Sequence, residues 1–118
     1  MLSSGAMVIV LFGLPSIAAT RPEDPRRSVL DDFAAARMLA TKCSSWQLNL
    51  SEVQSRFSEF GLKPADWQDG GPHASFFDER LSFYASRVSR MSQRRPCEAA
   101  EAAFGPSGRV RKGWMVPH

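Results

Sequence analysis

The sequence predicts an all-α fold, a small bundle of about four helices closed by one disulfide. Three observations point there. Apolar residues return at steps of three and four in successive segments, the period of one helix face. No run of useful length alternates apolar and polar residues as a half-buried strand would, and no internal repeat is present. The two cysteines, Cys43 and Cys97, each fall on the apolar side of a helical segment.

The first segment is set apart from the bundle. The run Ala6 to Leu14 precedes the first charged residue, Arg21. It is too short to span a bilayer, which takes about 20 apolar residues, and it has the length of a secretory h-region. Pro15 breaks it, and Ser16-Ile17-Ala18 supplies the small residues of a cleavage site. Residues 1–18 are therefore expected to be a signal peptide. Its start, Met1 to Gly5, carries no lysine or arginine, so a form retained as a membrane anchor stays open. Residues 19–27, containing "TRPEDPRR", read as a flexible lead-in, which leaves residues 28–118 as one helical domain with a basic tail.

Ser28 and Asp31 have the spacing of a capping box, and Val29, Phe33, Ala36, Ala40 and Cys43 follow as one stripe. A second helix is expected from Asn49, with Glu52 at its third position and Leu50, Val53, Phe57 and Phe60 on its apolar face. Gly61 suits the left-handed stop of that helix, Leu62 the contact that accompanies it, and Pro64 prevents continuation. "KPADWQDGGPH" reads as a loop around Trp67. A third helix carries Phe77, Leu81, Tyr84, Val88 and Met91, widened by Phe76 and Phe83; it starts between Pro72 and Phe76 and runs to Ser92 or Gln93. Pro96 opens a fourth, in which Cys97, Ala100 and Phe104 share a face and Gly105-Pro106 ends the segment. The tail beyond is basic and irregular, with Val110, Trp114 and Met115 as anchors.

Little here suits catalysis. A nucleophile and base pair needs a positioned histidine, and the chain has two, His73 in a glycine-rich loop and His118 at the end. Asp66, Asp69 and His73 match neither a calcium loop nor a zinc pair; aspartate and glycine there read as turn chemistry. Asp31-Asp32 and Asp78-Glu79 lie near expected helix starts, where negative charge is favourable by about 0.3–1 kcal/mol. No phosphate-binding loop or dinucleotide fingerprint is present. The expectation is a protein that is not an enzyme and takes no metal or cofactor.

Cys97 admits two readings. A helix N-terminus beside Arg94 and Arg95 would lower a thiol pKa, as in a thiol-dependent enzyme or redox protein. Pairing with Cys43 would close a loop of about 54 residues, worth roughly 4 kcal/mol by chain entropy. An exported chain with two inward cysteines and no C-x-x-C motif favours the disulfide.

The basic residues are the remaining candidates. From Arg80 to Lys112 there are eight, Arg80, Arg87, Arg90, Arg94, Arg95, Arg109, Arg111 and Lys112, against Glu98 and Glu101. The whole chain carries a net charge of only +3, so the excess is local. Such a surface suits an anionic partner; equally, arginine stems cover apolar surface while their heads stay wet. Trp46 and Trp67 suit capping of a small core, and Trp114 in the tail is either a cap or an interface aromatic. The segment "CEAAEAAFGPSGRV", Cys97 to Val110, resembles the C-terminal part of small exported helical proteins of alphaproteobacteria, rhizobia among them. The resemblance covers about a fifth of the chain, implies export and a helical fold, and brings no catalytic residues.

Together these features predict a periplasmic or secreted binding or accessory protein. It would contact a protein or anionic envelope component through its basic C-terminal third, with no nucleic acid involved and the membrane met only through an uncleaved leader. A periplasmic stress chaperone shares the small single-disulfide plan and is the further alternative.

Overall fold

The computed structural model describes residues 24–118; the expected signal peptide and residues 19–23 of the lead-in lie outside the described residues. Helix α1 is Pro25–Lys42. It begins three residues before the expected start, so residues 25–27 are helix and not lead-in. The cap is Asp24, whose carboxylate accepts from the Arg26 amide at 2.9 Å, with Pro25 in the first turn, where its missing N–H costs nothing. That amide also holds the Asp24 carboxyl below its ordinary pKa. Ser28 is thus an interior residue of the helix and not its N-cap.

A short strand β1, Trp46–Leu48, leads into α2, Leu50–Glu59. The end of α2 matches the expected stop. Gly61 sits at φ 70°, the Leu62 amide donates to Phe57 O at 2.9 Å and the Gly61 amide to Ser58 O at 3.0 Å. This is a Schellman ending, which needs the left-handed residue that glycine adopts without penalty. Asn49 opens α2 as expected but caps differently. Its side chain accepts from Ser51 Oγ and donates to Gly113 O, while its amide donates to Trp114 O at 2.8 Å, tying α2 to the end of the chain.

One helical turn, α3, Pro64–Trp67, lies within the expected loop; the Asp66 carboxylate accepts from the Lys63 amide at 2.8 Å. Then come α4, Ala74–Ser89, and α5, Arg95–Phe104. The last element is β2, Met115–Pro117, antiparallel to β1 with Gln47 opposite Val116. The fold is therefore mostly helical and not purely all-α. Strands of three residues are too short to show a period in sequence, and this pair stands because Leu48 and Met115 pack on the core.

Helices α1 and α4 run parallel. Arg27 lies over Phe76, Asp31 meets Arg80, and Lys42 shares a cleft with Val88. Helix α5 starts where those two end, since Cys43 is bonded to Cys97 with Cα atoms 5.1 Å apart, and it runs back along α1. Being enclosed on several sides, α1 has no solvent-facing side over Val29–Ala34, and all six residues there are buried. Phe33, Phe57, Trp67 and Phe77 form an edge-to-face and stacked cluster with centroids 5.2–5.8 Å apart. Phe104 stacks on Trp114 at 6.2 Å. The tail is therefore part of the core: Trp114 is 1 % exposed, a packed residue and not an interface aromatic.

Candidate functional site

Asp31 and Asp32, expected to favour the start of a helix, instead lie in its second turn at 1 % and 3 % exposure. Buried carboxylates require partners, and each has an arginine from a different element. Arg80 Nε donates to Asp31 Oδ1 at 2.5 Å and the Tyr84 hydroxyl to Asp31 Oδ2 at 3.1 Å. Arg111 Nε donates to Asp32 Oδ2 at 2.8 Å. Adjacent positions on α1 thus fasten α4 on one side and the loop after α5 on the other. Burial, reinforced by the Asp31 charge, pushes the Tyr84 phenol up to about 12, with Arg80 opposing. Burial also works against the Arg80 cation, but its hydrogen bond to the Asp31 carboxylate, with the Tyr84 oxygen alongside, outweighs that and raises its pKa. The Arg80 guanidinium lies 4.3 Å from the Phe83 ring centroid and Arg111 5.7 Å from that of Trp114.

These two arginines are committed inward, and the eight-residue basic set divides accordingly. Arg87 is half-buried, 5.4 Å over Phe83. Arg109 and Lys112 are exposed beyond the C-terminus of α5, where the Arg109 amide bonds Ala102 O. Arg94 and Arg95 are exposed at the other end of that helix, and Arg90 is exposed at the C-cap of α4. Ten residues of α5 measure about 15 Å, so the structure places the two exposed groups at opposite ends.

At the α4–α5 junction a fourth exposed cation joins, Lys42 of α1, which the sequence set did not include. The cleft there, about 230 Å³, is lined by Lys42, Val88, Ser89, Met91, Ser92, Gln93 and Pro96. A signal for Lys42 was present: if Cys43 bonds Cys97, the neighbour of the first lies beside the neighbours of the second. No acidic residue occurs between Arg80 and Glu98. Two helix C-termini meet here and contribute roughly −1 charge, and the N-terminus of α5 about +0.5. Four cations exceed that, so the corner stays positive.

Cys97 carries no free thiol in this structure, because its sulfur is bonded to Cys43; Ser45 Oγ lies 4.0 Å away. The bridge is consistent with an oxidising compartment. His73 caps α4 in position only, its amide donating to Asp66 O at 2.8 Å. Among the described residues no three His, Cys, Asp or Glu side chains gather as a metal site, and no helix is long and apolar enough to cross a membrane. A second hollow, about 410 Å³, is lined by Phe33, Leu50, Val53, Phe57, Leu62, Trp67 and neighbours, none ionisable. Comparison with protein-family models, curated proteins and solved structures gave no match.

Proposed function

We propose that the chain is an exported, non-catalytic binding or accessory protein of the cell envelope, with its contact surface at the basic corner where α1 and α4 end and α5 begins. One observation carries this reading: Lys42 lines the cleft at this corner, and Arg90, Arg94 and Arg95, chain neighbours of its other lining residues, are exposed, with no acidic residue between Arg80 and Glu98. Such a surface attracts an anionic partner and is screened by salt over about 8–10 Å. The disulfide supports the reading by tying the end of α1, next to Lys42, to the start of α5, next to Arg94 and Arg95. A thiol-dependent role for Cys97 loses its nucleophile while the bridge is closed.

Retention on an immobilised polyanion across a salt gradient tests the proposal. The wild-type chain is expected to elute late and Arg90→Glu with Arg94→Glu early, at unchanged thermal stability. Equal elution would count against the surface. Arg109→Glu with Lys112→Glu, at the far end of α5, should change elution least.

A further inference from the structure

We infer that the cleft at the basic corner seats one anionic sugar residue of a polysaccharide, a uronate or a sulfate- or phosphate-bearing ring; this rests on the proposed contact surface. A sugar ring presents hydroxyls and charge around its edge and C–H groups on its faces. The cleft offers the complement. Lys42 supplies a cation and Ser92 and Gln93 supply neutral donors and acceptors, while Met91 and Pro96 supply apolar carbon. Ser89 Oγ already donates to Ser86 O at 2.8 Å, which leaves its oxygen to accept.

Size narrows the ligand. At about 230 Å³ the cleft lies below the roughly 300–1,000 Å³ of drug-sized pockets. It holds one ring-sized group, and the exposed Arg90, Arg94 and Arg95, which neighbour the lining residues in the chain, would be available to the charges of adjoining units along a polymer. Two other anionic surfaces fit less well. A bilayer is held by charge together with apolar side chains that enter its interface, and the large apolar residue exposed among the described ones, Leu50, lines the other hollow. Single-stranded nucleic acid is held by stacking on exposed aromatic rings, and none borders this cleft.

The test is calorimetric titration of the oxidised chain with four probes: a hexauronate, a heparin-derived hexasaccharide, neutral maltohexaose and phosphatidylglycerol vesicles. Both charged saccharides are expected to bind, with maltohexaose giving no heat. Lys42→Gln should weaken binding about tenfold, and Ser92→Ala with Gln93→Ala about fivefold or more without changing the salt dependence. All three positions are exposed, so circular dichroism and thermal unfolding should match the wild type. Saccharide binding untouched by these substitutions would overturn the cleft as the seat. Binding to vesicles alone would overturn the sugar assignment. Either result leaves the basic corner standing as the contact surface, whereas failure of every anionic probe would overturn both.

Discussion

Arg80 and Arg94 lie fourteen positions apart in one basic run and differ in every physical respect. Arg80 faces a buried carboxylate, stacks over Phe83 and keeps 16 % of its side chain exposed. Arg94 stands in solvent at the start of α5. The residue type is the same; the difference is what lies opposite. Where α1 presents Asp31 and Asp32, arginine becomes an internal fastener. Where α1 ends in Lys42, arginine stays free to meet something outside.

Removing one partner from the fastened region is expected to have the largest effect. Asp31→Ala leaves Arg80 largely enclosed without its counter-charge, and breaking such a pair costs about 3–5 kcal/mol, read as a lower urea midpoint at unchanged slope. The double change Asp31→Leu with Arg80→Met should cost much less, because it removes both charges together. Next comes the bridge. Cys43→Ala with Cys97→Ala is expected to cost about 2–4 kcal/mol, toward the upper end for a separation of 54 residues, measured by thermal unfolding.

Tyr84→Phe removes one hydrogen bond to a carboxylate and is expected to cost about 1.5–3 kcal/mol. It should also alter the alkaline limb of the stability profile. The folded-state pKa of Tyr84 is about 12, above the ordinary value of 10, so folding favours the neutral phenol. Its contribution is complete below pH 10 and is lost as pH rises from there through 12. Wild-type chain should therefore lose stability in that window that Tyr84→Phe does not; parallel profiles would overturn the assignment. At the free corner, Arg94→Ala with Arg95→Ala should change stability by no more than about 0.5 kcal/mol. A larger loss there would show that the corner, too, is structural.

Part of this contrast was legible in the sequence. Four of the helices follow from apolar spacing, and the stop at Gly61-Leu62 from local chemistry, because these depend on neighbours within a few positions. The pairing of Cys43 with Cys97 followed from both lying on inner faces. What local pattern could not separate was the eight basic residues, since Arg80 and Arg111 find their carboxylates 49 and 79 positions away. Asp31 and Asp32 were misread for the same reason. Beside an expected helix start they have a sufficient local explanation, and only the enclosure of α1 makes them buried.

The candidate site divides in the same way. Its arginines were visible as a run, but Lys42 comes from a distant helix, and the cleft exists only because α1 and α4 end together. Trp114 shows the converse case: a tryptophan in a basic, irregular tail has no period to mark it as core, so the sequence leaves cap and interface aromatic both open, and its stacking on Phe104 decides for the core. By itself the sequence determined four of the helices, the stops of α2 and α5 and the covalent clamp, because spacing and cysteine count act through short range or through one bond, while α4 ends at Ser89, three residues short of the expected Ser92. Tertiary structure decided which charges are spent inside and which remain for a partner. That depends on what faces each side chain across the core, and the sequence does not state it.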